Sequence, residues 1–302
     1  MRRTILATAI APALWGTTYA VTAELLPPGR PFLAATLRAL PVGIVLTVLG
    51  RQRPSGRWWY RAAVLGICNF GAFFALLFTA AYRLPGGLAA TIGATQPIIV
   101  TGLVAVLLAE RPTVARVVAA LVGVAGVAML VMRSAVTLDS VGVLAAVGGA
   151  ASMATGTVLV QRWGRPAPLL TFAGWQLAAG GLVLAPLTLA VEGLPASLVA
   201  ENLWGYGYLM VLGAGVAYPL WFRGIERLGA GAATFLSLLS PLVATAVGVA
   251  LRGEHLGPWQ IVGAAAVLGS VLLGNLHGRA PAARPRSAPQ PRLAAAAATE
   301  PT

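Results

Sequence analysis

The sequence predicts an all-α integral membrane protein of ten transmembrane helices, arranged as two inverted repeats of five helices. Three observations carry this prediction: the apolar composition, ten apolar segments of membrane-spanning length, and a proline and a glutamate that recur at one spacing in both halves. Of the 302 residues, 58% are hydrophobic and 10% are charged, and the mean hydropathy is +0.82. A soluble domain carries about 25% charged residues, so this chain has too little charge to cover a water-facing surface.

The predicted spans follow from the length that a helix needs to cross a bilayer, about 20 apolar residues. They lie at 4–26, 33–50, 61–82, 86–109, 113–132, 139–161, 168–190, 203–223, 228–251 and 257–277. The first segment also has signal-peptide features, with Arg2 and Arg3 before its apolar stretch. The sixth segment looks like its counterpart in the second half, so the first segment is predicted to be a retained helix. Residues 278–302 are rich in Pro, Ala and Arg and are predicted to be a disordered tail.

The arginines predict the orientation in the membrane. All 21 basic residues are Arg, and 16 of them fall on the side of the N-terminus against 4 on the other side. The positive-inside rule therefore places both termini in the cytoplasm of a multi-pass cell-membrane protein. Because the arginines lie mostly between apolar runs, the net charge of +13 is a topology signal and does not indicate nucleic-acid binding. The single cysteine, Cys68, predicts neither an internal disulfide nor a metal site.

The two halves match when they are shifted by 144 residues. Pro97 then aligns with Pro241, and Glu110 aligns with Glu254. A shift near 138 aligns the earlier parts, including Gly43 with Gly181. Chance matching within an Ala/Leu/Val-rich sequence is the alternative, but proline and glutamate are uncommon here. Because five spans are an odd number, the second unit enters the membrane from the opposite side, as in carriers with inverted repeats.

Two five-helix units, each with a proline in its fourth helix, resemble the EamA family of the drug/metabolite transporter superfamily. The same holds for the acid that ends the fourth helix and the Gly/Ala-rich fifth helix, "ERPTVARVVAALVGVAGVAMLV" and "EHLGPWQIVGAAAVLGSVLL". The resemblance covers the first repeat, 4–132, and the second, 139–277. It implies a ten-helix transporter with a central cavity between the halves, and export of amino acids or other small metabolites. It does not identify the substrate.

Pro97 and Pro241 are predicted to kink the fourth and ninth helices, because a mid-helix proline removes one backbone hydrogen bond. Gln96 and Ser240 directly precede them and can bond the freed carbonyls. The kinks either line a cavity or serve helix packing alone. Glu110 and Glu254 end these helices and are predicted to cap and stabilise the following turns, with proton coupling as the alternative role.

Arg38 is the only basic residue that lies away from the ends of the predicted spans, since Arg61, Arg116 and Arg223 fall within the first or last turn of theirs. An arginine at the bilayer centre costs about 2.5–3.5 kcal/mol on insertion scales. Glu24 lies at a similar shallow depth across a short loop, so a structural Glu24–Arg38 pair is one interpretation. The other is that Arg38 meets a carboxylate of the substrate. Gln176 is the matching position in the second half.

Polar and aromatic side chains at mid-depth are the predicted lining of the cavity, because they suit small amphipathic ligands. Ser152 and Thr155 share this depth. The predicted substrate-binding residues are Trp15, Thr18, Tyr19, Arg38, Asn69, Gln96, Trp175, Gln176, Tyr218 and Ser240.

These features together predict an alternating-access transporter without covalent chemistry, cofactor or metal, whose partners are a small-molecule substrate and membrane lipid. A membrane-embedded enzyme is disfavoured because the sequence has no HExxH, GxSxG or paired intramembrane aspartates. A structural membrane protein is the other rival. A cationic-drug pump would keep an acid at mid-depth, which favours amino acids or similar metabolites over cations. A homodimer is compatible with the sequence, and direction and ion coupling stay open.

Overall fold

The computed structural model describes residues 2–84, 89, 92–131, 139–195, 197–252 and 257–276, and its regular elements there are all helices. Within this part, eight helices are long and apolar enough to cross a membrane. Two shorter apolar helices, Gln96–Leu108 and Val114–Met129, lie among them. Each of the ten predicted spans overlaps one of these helices, and the chain is a multi-pass, all-helical membrane protein. The predicted tail at 278–302 lies outside the described residues.

The helices are labelled α1 to α10 in chain order, each after the predicted span that it overlaps. They are α1 (Arg2–Gly16 and Thr18–Leu25), α2 (Pro31–Gly50), α3 (Trp58–Gly66, Ile67–Gly71 and Ala72–Arg83), α4 (Gln96–Leu108), α5 (Val114–Val131), α6 (Ser140–Trp163), α7 (Leu169–Val191), α8 (Ala200–Met210, Val211–Val216 and Ala217–Leu228), α9 (Ala230–Leu236 and Leu239–Arg252) and α10 (Pro258–Leu276).

The bundle has two chemically different ends. We call one the basic end, because it carries most of the described arginines, including those of the 51–57 loop. There Arg165 pairs with Glu226 at 3.3 Å, and the Arg61 guanidinium lies over the Trp163 ring. At the opposite end, Arg30 donates to the Gly193 carbonyl at 3.2 Å. The two ends correspond to the two sides assigned from the arginine distribution.

Helix packing follows a regular scheme. Helix α2 packs against α7, and α5 packs against α10. Helix α3 packs on α6 as α8 packs on α1, and α4 contacts α6 as α9 contacts α1. Adding five to a helix number therefore converts each of these contacts into another observed contact. Gly43 lies against the Ala178 backbone and Gly126 against Ala266, so small residues allow the close approach of α2 to α7 and of α5 to α10.

Helices α4 and α9 are broken, although not at the prolines themselves. A two-residue turn interrupts α9 at Ser237–Leu238, and Ala94–Thr95 forms the same kind of turn before α4. Pro97 and Pro241 follow in the first turn of the next helix, where a proline costs little because its missing N–H has no intrahelical partner. The predicted mid-helix kink is therefore corrected to a helix break with a proline at the restart.

Hydroxyl groups satisfy the carbonyls at these breaks in the same way in both halves. Thr95 donates to the Ile92 carbonyl at 2.7 Å, and Ser237 donates to the Thr234 carbonyl at 2.6 Å. After the prolines, Thr101 bonds the Pro97 carbonyl and Thr245 bonds the Pro241 carbonyl. These hydroxyls are second donors, because the backbone amides of Thr95 and Ser237 also bond the Ile92 and Thr234 carbonyls at 3.0 and 3.1 Å. Gln96 and Ser240, the donors predicted from the sequence, face the cavity instead.

Two π-helical segments were not predicted from the sequence. They are Ile67–Gly71 in α3 and Val211–Val216 in α8, and they begin 144 residues apart. The Ala217 amide bonds the carbonyls of Leu212 and Ala214 and passes over that of Gly213. A π-turn thus leaves a carbonyl free inside a helix, and such turns are frequent at functional sites.

The loop after α7 caps the start of α2. The Glu192 carboxylate accepts hydrogen bonds from the backbone amides of Phe32 at 2.6 Å and Leu33 at 2.9 Å. These amides have no partner within their own helix, and a negative charge there is favourable. At the start of α6, the Gly142 amide bonds the Asp139 carboxylate at 2.7 Å and lowers the pKa of that carboxyl, with Arg83 as a further cause.

We predict that Glu192→Ala lowers the melting temperature of the detergent-purified protein by the equivalent of about 1 kcal/mol, as for loss of a helix cap. Glu201→Ala is the control, because Glu201 is exposed in the first turn of α8. Differential scanning fluorimetry measures both. Equal melting temperatures for the two variants would contradict the capping role of Glu192.

Candidate functional site

A cavity of about 120 Å³ lies between the halves of the bundle. One water molecule needs only about 10–15 Å³ of such space, so the cavity has room for a small organic molecule or a cluster of waters. Helices α1, α2, α3, α4, α6, α8 and α9 all contribute to its wall. Its residues include Ala80 in α3 and Ala146 in α6, which lie toward the end of the bundle opposite the basic end. The cavity therefore extends from mid-depth toward that end.

Most of the predicted binding residues face this cavity. Those that line it are Trp15, Thr18, Tyr19, Arg38, Gln96, Tyr218 and Ser240. Pro241 also lines it, whereas Pro97 is buried beside Gln96 and is not part of the wall. Both α4 and α9 thus bring the residue before their first-turn proline to the cavity, in agreement with the cavity-lining interpretation of the two breaks.

Arg38 is the central charged group of the site. Only 2% of its surface is exposed, and it lines the cavity. One terminal nitrogen, Nη2, donates to the Gly213 carbonyl at 3.1 Å, and the other, Nη1, donates to the Thr18 hydroxyl at 3.3 Å. Its Nε has no hydrogen-bond partner among the described residues. A buried guanidinium with a donor to spare can bind a carboxylate that enters the cavity.

The predicted Glu24–Arg38 pair does not form between these two described residues. Glu24 is exposed near the end of α1, whereas the guanidinium points inward and stacks over the Phe74 ring at 4.8 Å. The π-turn explains the difference, because the free Gly213 carbonyl offers Arg38 an acceptor at depth. Sequence spacing showed that the two residues have similar depth but not that they face different directions.

An aromatic column closes the bundle between the cavity and the basic end. Trp15 and Tyr218 form the end of the column at the cavity, with ring centroids 4.9 Å apart. Trp15 also donates to the Gly213 carbonyl at 3.0 Å. Phe70 lies 4.4 Å from Tyr218, and Phe222 contacts both rings. Phe172 and Trp58 continue the contacts toward the basic end. The column separates the cavity from the basic end.

Three of the predicted binding residues lie outside the cavity. The Trp175 indole N–H donates to the Gln52 carbonyl at 2.9 Å, near the basic end rather than at mid-depth. Asn69 donates to the Gln176 side chain at 2.9 Å, and both are fully buried. Their assignment to the observed cavity is therefore corrected, because Trp175 points to the 51–57 loop and the side chains of Asn69 and Gln176 point to each other.

The other predicted polar positions act within the helical framework. Ser152 donates to the Cys68 carbonyl, which the π-turn of α3 leaves free, and Thr155 bonds the carbonyl of Ala151 in its own helix. Glu110 accepts a hydrogen bond from Gln161 at 3.5 Å and links the end of α4 to α6. The cap of α5 is instead the Thr113 hydroxyl, which bonds the Arg116 amide. Glu254 lies outside the described residues.

Among the described residues, the lining has one positive charge, that of Arg38, and no acid. It includes the apolar Phe73, Leu77 and Met153, which the sequence-based argument did not single out. The Gly213 carbonyl beside Arg38 was also missed, although Gly213 and Gly215 in the middle of α8 were a signal of irregular backbone. The site thus offers apolar and aromatic faces, neutral hydrogen-bonding groups and a single guanidinium.

Comparisons with known proteins agree with this architecture. The protein PecM of Dickeya dadantii (strain 3937) is 43% identical over 87% of this chain and 89% of its own length. The probable terminal-alkyne amino-acid exporter of Streptantibioticus cattleyicolor is 29% identical over 80% of this chain and 81% of its own length. A solved crystal structure shares the fold, with a TM-score of 0.76 and 23% identity over 92% of this chain and 98% of that chain.

A family model described as the EamA-like transporter family matches residues 2–132 and 140–276, which include every helix around the cavity. The chain therefore belongs to the EamA-like transporter family of the drug/metabolite transporter superfamily and is a membrane transporter.

Proposed function

We propose that this transporter exports amino acids or similar small metabolites by alternating access, through the cavity between two inverted repeats at 4–132 and 139–277. The observation that carries the proposal is the cavity itself, which combines aromatic faces, neutral polar groups and the guanidinium of Arg38. In this view the substrate binds at mid-depth, and the protein exposes the cavity to one side of the membrane at a time.

The packing scheme supports the inverted repeats. A two-fold relation between units of five helices requires that every contact between helices has a counterpart with both numbers shifted by five. The principal contacts have such counterparts, and the pairs α2–α7 and α5–α10 are their own counterparts. The π-turns of α3 and α8, the helix breaks before Pro97 and Pro241 and the two matched ranges agree with the same division.

The charge of the cavity supports a zwitterionic or carboxylate-bearing substrate. The guanidinium of Arg38 suits a carboxylate, and Trp15, Tyr19 and Tyr218 offer surfaces for an apolar side chain. An unpaired cationic drug would be costly beside this arginine, since the lining has no Asp or Glu among the described residues. One relative is named as a probable amino-acid exporter, in line with this substrate class.

The substrate assignment predicts a specific effect of Arg38→Gln. In proteoliposomes, the variant should lose leucine transport by about tenfold or more, because hydrogen bonds to charged groups contribute about 1.5–3 kcal/mol. Leucinamide, which lacks the carboxylate, should lose much less. The ratio of the two rates within one variant corrects for differences in folding. An equal loss for both compounds would assign Arg38 to structure alone, and tight binding of a quaternary ammonium compound would reverse the substrate class.

The helix breaks predict a second effect on transport. Pro97→Ala and Pro241→Ala restore a backbone N–H and allow the helices to continue through the turns, which changes the shape of the cavity. Both variants should insert and fold normally, as gel filtration would show, but should transport leucine more slowly. Gly102→Ala in α4 is a control, because its Cβ would meet no neighbouring atom within 4 Å. A wild-type rate would assign the affected proline to packing.

The arginine distribution supports an orientation with the basic end in the cytoplasm. Single cysteines at Ser55 and Ser197, both exposed, test it in a Cys68→Ser background. An impermeant maleimide added to intact cells should label Ser197→Cys, in the loop after α7, and leave Ser55→Cys unlabelled. The reverse pattern would invert the orientation. Labelling of both positions only after cell lysis would place neither loop outside.

A further inference from the structure

The repeat relation assigns to each cavity residue an equivalent position in the other half. Equivalent residues are 138 positions apart for α1 and α2, which correspond to α6 and α7. The contacts that the buried polar groups make in the two repeats agree with this shift. Arg38 lies against Thr18 and Gly213, and its equivalent Gln176 bonds Asn69, whose side chain fills the space beside Gly156. For α3 and α4 the shift is 144, as the π-turns and prolines require.

These equivalents divide into two groups. Trp15 and Met153 are equivalent and both line the cavity, as do Gln96 and Ser240, so these residues mark its shared middle. Other cavity residues have equivalents toward the basic end that are packed inside the protein. Tyr19 corresponds to Thr157 and Leu77 to Trp221, and both equivalents are 0% exposed.

The bundle is tightly packed toward the basic end, at positions whose equivalents toward the opposite end line the cavity. Ala80 and Ala146 line the cavity, and their equivalents are Gly224 and Thr8. Gly224 lies so close to the Thr8 side chain that a Cβ atom would not fit between them. Equivalent positions therefore form a wall of the cavity toward one end of the bundle and a direct helix contact toward the other end.

Two of the packed equivalents of cavity residues each have a buried polar atom that lacks a hydrogen-bond partner among the described residues. They are the Thr157 hydroxyl oxygen and the Trp221 indole nitrogen. A buried polar group without a partner is unfavourable, because it has lost its hydrogen bonds to water. Both atoms lie at positions whose equivalents face the cavity. Exposure to water or substrate in another conformation explains polar groups that this conformation leaves unsatisfied.

We propose that Thr157, Gln176 and Trp221 line a second half-cavity, which opens at the basic end when the observed cavity closes. It takes the same substrate in transit through neutral hydrogen bonds, from a hydroxyl, an amide and an indole N–H. Since Gln176 replaces Arg38, this half-cavity holds a carboxylate without a full positive charge. The inference rests on the alternating access of the proposed function.

Cysteine accessibility tests this half-cavity without knowledge of the substrate. Thr157→Cys in a Cys68→Ser background should react with trimethylammonioethyl methanethiosulfonate in vesicles that expose the Ser55 side. Modification accumulates even if the open state holds only about 0.1–10% of the molecules. Val158→Cys is the matched control, because Val158 is also 0% exposed on the neighbouring position of α6. Tyr19→Cys should react from the other side only.

Equal rates for Thr157→Cys and Val158→Cys would overturn the inference. If leucine flux is normal in that case, the proposed function stands without it. Labelling of Thr157→Cys without flux of any amino acid would instead support the half-cavity and refute the substrate class.

A second variant guards against misfolding of the first. Thr157→Val replaces the unpartnered hydroxyl by a methyl group of similar size, so it should leave the melting temperature unchanged or raise it while it slows leucine transport. A lower melting temperature with an unchanged transport rate would show that the Thr157 hydroxyl is bonded in the folded protein, and would contradict the proposal.

Discussion

The interior of a bilayer provides no hydrogen-bonding partners, so the protein itself must bond every carbonyl that a transmembrane helix leaves free. Most of the site depends on this constraint. The π-turn of α8 frees the Gly213 carbonyl, and Trp15 and Arg38 both donate to it. The carbonyl, the Thr18 hydroxyl and the Phe74 ring together hold a guanidinium that is 2% exposed. An irregular backbone is thus what places a charge beside the cavity.

The depth of most of the singled-out residues could be predicted from the sequence, because apolar length fixes where a helix begins and ends, although Trp175 lies nearer the basic end than predicted. Its direction could not, because rotation about the helix axis depends on neighbours distant in sequence. Tyr218 and Gln176 were both placed at mid-depth, yet one faces the cavity and the other bonds Asn69. The Glu24–Arg38 pair was wrong for the same reason. Pro97 and Pro241 predicted an irregularity in their helices but placed it as a kink at the proline rather than as a break before it. Gly213 and Gly215 were the corresponding signal for the π-turn of α8 and were missed.

The same limit explains which long-range contacts were missed. Glu192 was not singled out from the sequence, but its carboxylate caps α2, which lies 160 residues earlier in the chain. Trp175 was assigned to the cavity, but the 51–57 loop folds over the end of α7 and supplies the Gln52 carbonyl. Loops set such contacts, and their paths do not follow from hydropathy or from the repeat.

The two halves have diverged in pairs of contacting residues rather than one residue at a time. In one half Arg38 meets Gly213, where a Cβ would lie 3.3 Å from Nη2, so the glycine leaves room for the guanidinium. In the other half the shorter Gln176 meets Asn69, whose side chain fills the equivalent space. A change at either position alone would leave a clash or a buried polar group without a partner. The positive charge of the cavity is therefore tied to the backbone beside it, and the two halves cannot offer a substrate the same chemistry.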